Sequence, residues 1–413
     1  MPEKFSISQT KLGRKHALKV LPAPATTSMP AGSTGNSNGS GPSSTRLLSL
    51  DALRGFDMIW IMGLGMALIA AGNWTGSKGL SEFLARQLEH GPWASPDYGR
   101  WAQGVAFWDL IMPLFLFCTG TSLPFSMAKR RQRGESTARI YGHIVSRVVV
   151  LWLLGMIEQG RLLAFDLSKL HLYCNTLQAI AAGYLVASVV YLHFRPRAQA
   201  LITAGLLLLY WAVLTFVAAL GAKSAVILPE QNIADWIDKA LLGRFDDGVP
   251  YTWILSSMAF ACSVMLGVFA GQWVRSPRPA RIKVLGLLGG GASLTLAGFV
   301  WSGWSPINKY LWTSSMVLYW GGWSVVLLGI FYLFLDVLNW RKPAFPFLVV
   351  GSNAIAAYMI PHFVSFRGIA TQLVGGLEHH LPACYPVILS STRFLCLWLL
   401  LYWMYRTKTF LKV

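Results

Sequence analysis

The sequence predicts an all-α fold, a polytopic transmembrane helical bundle of about ten (10–11) spans. Three observations predict it. Only 13% of the 413 residues are charged and 54% are hydrophobic, whereas a soluble domain carries about 25% charge. Apolar runs of a length that crosses ~30 Å of hydrocarbon recur along the chain. Lys and Arg gather in alternate connecting segments, as they do at the cytoplasmic ends of membrane helices.

Residues 1–45, ending in PAGSTGNSNGSGPSST, are rich in Ser, Gly, Pro and Thr. They hold too little apolar surface for a core and read as a disordered cytoplasmic tail. The tail lacks the apolar h-region of a signal peptide. Residues 46–413 read as a single transmembrane domain. Its spans are expected at 49–71, 104–127, 140–158, 172–194, 198–220, 251–274, 284–301, 314–338, 345–365 and 387–405. Each is near the ~20 residues that a bilayer requires. The first half of the ninth can also stand as a separate short helix.

The connecting segments set the orientation. With both termini cytoplasmic, the inner segments hold 22 Lys and Arg against two acids, Glu3 and Glu135, and the outer ones hold ten of each. The formal charge of +18 is therefore a topology signal. Its spread over many segments argues against a nucleic-acid partner, which needs a basic face. The partner that composition implies is membrane lipid. The five cysteines (118, 174, 262, 384 and 396) lie mostly in apolar runs with no CxxC pair. They read as packing residues, with no disulfide framework.

The stretch HGPWASPDYGRWAQGVAFWDLIMPLFLFCTGTSLPF, 90–125, passes from a polar loop into an apolar helix. Asp109 heads that helix. A charge facing lipid costs about 2.5–3.5 kcal/mol at the bilayer centre, so such a residue points inward to a partner. His90 stands in the preceding loop, outside on this topology. An imidazole exchanges protons near neutral pH and can carry an acyl group. It can equally be a hydrogen-bonded loop residue, and the residues alone leave both readings open.

Elsewhere Asp51 and Arg54 are three apart and share a helix face, which suits an ion pair or a function. Asp57, a turn further in, is harder to assign to structure alone. PINKYLWTSS, 306–315, offers Asn308, Lys309 and Trp312 as substrate contacts, although Trp304 and Trp312 also suit an interfacial aromatic belt. His171 lies near an outer interface and can meet substrate. Gln178, beside Asn175, and Asn353 in VGSNAIAAYM need amide partners, which neighbouring helices also supply. His143 and His362 read as ordinary surface or interface histidines. His379–His380 has no i,i+4 partner, so no metal is expected. The chain has no Walker A loop, no GxSxG elbow and no HExxH helix, which argues against phosphotransfer, serine hydrolysis and zinc proteolysis. GLLGGG at 286–291 reads as helix packing.

Four blocks in this order form a family pattern: RLLSLDALRG at 46–55, the His90 loop with WAQG and FWDLIMPLFLF to 117, PINKYLWTSS, and VGSNAIAAY at 350–358. Over roughly 46–405 the chain resembles the heparan-α-glucosaminide N-acetyltransferase family, in particular its bacterial members. The resemblance implies a transmembrane acyltransferase domain in the bacterial inner (plasma) membrane. It would take acetyl-CoA from the cytoplasmic side and acetylate an amino sugar on the other. His90 matches the family histidine, as base or acyl carrier, and Asp109 matches the aspartate of the DL-x-x-P-x-F block. Arg54 and Arg147, by charge and depth, are then candidates for the CoA phosphates, with Gln178 and Asn353 as further cofactor contacts. A homodimer is implied by the same resemblance. Two departures stand out. Asn73 is a stand-in at best for the family asparagine before the histidine, and the family LQR reads Leu177-Gln178-Ala179. The alternatives are an O-acyltransferase of a cell-envelope glycan and a transporter without chemistry.

Overall fold

The computed structural model describes residues 47–89, 105–217 and 231–411. The tail expected over 1–45 lies outside them, as does His90. Every regular element among the described residues is helical. Those of seven residues or more are, in chain order, α1 (Leu48–Trp74), α2 (Lys78–Leu88), α3 (Phe107–Gln132), α4 (Thr137–Glu158), α5 (Thr176–His193), α6 (Pro196–Phe216) and α7 (Ile233–Leu242). They continue as α8 (Ser257–Arg275), α9 (Ala280–Trp301), α10 (Ser314–Val337), α11 (Phe345–Gly351), α12 (Ala354–Phe363), α13 (Phe366–Val374) and α14 (Tyr385–Arg406). Nine of these are long and apolar enough to cross a membrane, and α11 with α12, bent by 70°, makes up to ten. Each expected span coincides with one of them, and the ninth does consist of two pieces.

The helix ends follow the local sequence. Ser136 caps α4 by accepting the Arg139 N–H at 3.4 Å, and Asn175 caps α5 by accepting the Leu177 N–H at 2.6 Å. Pro196 begins α6, where a missing N–H costs nothing. Inside α1, Trp60–Leu64 forms a π turn in which Gly63 takes φ 115°. A side chain there would be strained, and glycine makes the break tolerable.

Helices α3 and α8 form the centre, with 78% and 72% of their spanning segments buried, against 17% for α14 and 22% for α9 at the periphery. Leu114, Phe117, Leu177, Phe260, Val264 and Met316 lie in the shared core. Lipid tails are as apolar as leucine, so close packing rather than escape from water must join these helices. Glycines permit it at the two tightest crossings. A Cβ on Gly120 would strike the Val264 carbonyl and one on Gly267 the Phe117 carbonyl, across α3 and α8. Gly55 and Gly351 do the same for α1 and α11. In GLLGGG, Gly286 and Gly291 pack against Trp273 and α10, while Gly289 and Gly290 face open space. All five cysteines are free, three of them buried.

Candidate active site

The first turn of α3 is a tight 3-10 turn, Phe107–Leu110. The Asp109 N–H donates to the Ala106 carbonyl at 2.9 Å, and the Ala106 N–H donates to Asp109 Oδ2 at 3.4 Å. The other oxygen, Oδ1, stands 3.3 Å from Lys309 Nζ. That ammonium also donates to the Trp108 carbonyl at 3.3 Å. Both members are buried, with Asp109 2% and Lys309 6% exposed. The sequence offers Lys309 as a substrate contact, and in the structure it pairs with Asp109.

The loop carrying Lys309 is stitched by its own side chains. Asn308 Oδ1 accepts the Tyr310 N–H at 2.9 Å and the Leu311 N–H at 3.2 Å, and its own N–H reaches Thr313 Oγ1 at 3.1 Å. Trp312 takes the left-handed φ of 50° and donates Nε1–H to Ser263 Oγ at 3.0 Å. It is 1% exposed, so it is a core residue and not a member of the aromatic belt, unlike Trp304 at 69%. These bonds hold the backbone that presents Lys309 toward Asp109.

Asp57 completes the group from α1. It is 0% exposed, and neither carboxylate oxygen has a hydrogen-bond partner among the described residues. Burial pushes the Lys309 ammonium below the usual lysine range, opposed first by Asp109 and then by Asp57. The wall is aromatic. Trp60 and Phe107 meet edge to face at 4.7 Å, with Phe56 on the same cluster. Tyr251 and Tyr310 pack at 4.7 Å on another side. Burial and then the Asp109 charge raise the Tyr310 phenol, which keeps it a proton donor.

Helix α2 docks beside this turn. Gln87 Oε1 accepts the Phe107 N–H at 3.1 Å, and Leu88 is buried beside Gly65, against which Trp108 also packs. Asn73 accepts the Ser81 hydroxyl and so joins α1 to α2.

A second polar group lies between α1, α3, α4 and α5. Arg54 Nη1 is 3.6 Å from Asp51 Oδ1, the i,i+3 pair that the spacing predicts, and Nη2 reaches the Cys118 carbonyl at 3.5 Å. The Arg147 guanidinium lies 4.5 Å from the centre of the Tyr184 ring, and its buried Nε–H has no hydrogen-bond partner among the described residues. Two cations within reach of each other's field, one with an orphaned donor, are what phosphate oxygens would satisfy.

The remaining candidates are engaged within the chain. Gln178 accepts the Cys174 N–H at 2.9 Å and donates to the Leu172 carbonyl at 2.7 Å. Asn353 donates to the Thr409 carbonyl at 2.8 Å and accepts the Leu411 N–H at 2.9 Å. His171 Nδ1 meets the Asp246 carbonyl at 2.9 Å. One association was missed at the sequence level: His362 Nε2 stands 2.6 Å from Glu158 Oε1. No local signal joins positions so far apart.

Fold and site define an all-helical integral membrane protein whose spans enclose a buried Asp–Lys pair with a second carboxylate beside it. The chain matches the human heparan-alpha-glucosaminide N-acetyltransferase at 25% identity, over 89% of this chain and 60% of that protein. That is a distant relationship, and the chain spans about three fifths of the relative's length. No family model matches the chain.

Proposed function

We propose that the chain is an integral membrane acetyltransferase acting between cytoplasmic acetyl-CoA and an amino-sugar acceptor on the extracytoplasmic side. The observation that carries this reading is the Asp109–Lys309 pair at the head of α3, with the orphaned Asp57 carboxylate beside it. A transporter could hold buried charges too. The distant relationship to an N-acetyltransferase favours acyl transfer.

Bound acetyl-CoA supplies an activated thioester. Arg54 and Arg147 hold its phosphates from the α1 and α4 side, where the orphaned Arg147 donor fits such a ligand. His90 takes the proton that the acceptor amine loses as its N–C bond forms, and returns it to sulfur as the C–S bond breaks. Asp109, held by Lys309, orients the imidazole and stabilises its charged form. The helix leading toward His90, α2, docks on the same turn that carries Asp109.

The test is release of free CoA thiol by the purified protein in detergent, with glucosamine as acceptor. Turnover that depends on the acceptor and is lost in His90→Ala supports the reading. Undiminished turnover in that variant removes His90 from the mechanism.

A further inference from the structure

On the side of the bundle where α4 ends at Glu158, a pocket of about 360 Å³ opens between α1, α12, α13 and α14. Met62, Phe363 and Leu397 line its apolar part, and His362, Arg367 and Arg393 its polar part. It shares no lining residue with the Asp109–Lys309 group and plays no part in the mechanism above.

Among the described residues, the charges in this pocket do not balance. Arg393 sits two turns inside α14, an apolar spanning helix, and its side-chain contact is the Met66 sulfur at 3.3 Å. Arg367 opens α13. Neither arginine pairs with a carboxylate among the described residues. The nearby acid, Glu158, is already committed. It faces His362 Nε2 at 2.6 Å, and it also accepts from the Asn175 amide and from the Tyr358 hydroxyl at 3.4 Å. His362 Nδ1 faces the Tyr358 carbonyl at 3.0 Å, so both ring nitrogens lie within hydrogen-bond distance of oxygen acceptors. Glu158 is thus taken up by His362, Asn175 and Tyr358, and among the described residues the two guanidinium groups stand without a carboxylate.

An ionisable side chain within a membrane helix is retained for a partner or a ligand. Guanidinium groups match phosphate oxygens in geometry and charge. The apolar walls beside them accommodate the carbon portion of an amphipathic molecule.

We propose that this pocket binds a phosphate group through Arg367 and Arg393, carried either by a membrane-lipid headgroup or by a free phosphate species. The proposal does not depend on the acetyltransferase reading. It can hold if acetyl transfer fails, and the reverse.

The full-length protein in detergent tests it with two probes, against Arg367→Gln, Arg393→Gln and the double variant. Native mass spectrometry reads retention of phosphatidylglycerol against phosphatidylcholine. Thermal shift reads inorganic phosphate against chloride at equal ionic strength. Preferential retention of phosphatidylglycerol that falls at least fivefold in the double variant assigns a lipid source. Stabilisation by inorganic phosphate, lost in the same variant, assigns a soluble one. If Arg393→Gln does not fold, Arg367→Gln and the charge-keeping Arg393→Lys carry the comparison, each expected to weaken the responding probe at least threefold. Equal responses of the wild type and the folded variants to both probes would overturn the proposal.

Discussion

The carboxylate of Asp109 and the ammonium of Lys309 meet at 3.3 Å although 200 positions separate them in the chain. The contact ties the first turn of α3 to the loop before α10. It sits where water is scarce, so neither charge has a ready substitute for the other.

Removing one member of a buried pair leaves an uncompensated charge, at a cost of about 3–5 kcal/mol. Lys309→Met strands two acids, Asp109 and Asp57, and Asp109→Asn strands only one cation that Asp57 still opposes. We expect the lysine variant to lose more. Thermal unfolding in detergent checks the order; equal melting of the two variants would show that Asp57 does not share the cation.

Asp57 behaves in the opposite sense. A buried polar group without a hydrogen bond costs about 1–3 kcal/mol, and both of its oxygens are in that state. Asp57→Leu is expected to keep or raise stability while acetyl transfer falls tenfold or more. Stability and CoA release measured on the same preparation decide it. A clear loss of stability would mean that the carboxylate supports the fold.

At the α3–α8 crossing, Gly267→Ala places a methyl against the Phe117 carbonyl. Overpacking of this kind costs about 1–3 kcal/mol. Gly289→Ala, in open space on α9, serves as the control and should melt like the wild type.

Asp238 gives the pH test. Its carboxylate accepts the Trp253 N–H at 2.6 Å and the Ile254 N–H at 2.9 Å, pinning α7 to the start of α8. Burial pushes its carboxyl from 3.8 up to about 7, against the pull of those two bonds. An acid whose pKa is raised by folding binds its proton more tightly in the native state. Its contribution is therefore full below the unfolded value and is lost as pH rises toward about 7. The melting temperature of the wild type should fall relative to Asp238→Asn between pH 4 and 8, flattening at the top. A gap that widens in favour of the wild type would reverse the sign.

The spans were legible because hydrocarbon thickness imposes a run length that few other constraints imitate. Asp109 was legible for a related reason, since a carboxylate at the mouth of an apolar helix must be accommodated. Its partner was not, because pairing across 200 positions leaves no periodicity to read. Trp312 misled in one respect: an aromatic residue just before a span suits the interface, but the left-handed turn at that position swings it into the core. Asn353 needed a partner, as its apolar surroundings demand, and found it in backbone groups of Thr409 and Leu411 instead of a facing side chain. His90, the residue on which the sequence reading leans most, lies outside the described residues.

The glycine turn at position 63 divides the first helix into a lower and an upper segment. The lower one carries Asp51, Arg54 and Asp57 and is gripped by the close crossing at Gly351. The upper one runs on through Trp74 to α2, whose Gln87 holds the turn beneath the aromatic wall. A side chain at position 63, strained at that backbone angle, would therefore be felt at both ends of the helix, in the register of the charges below and in the seating of α2 above.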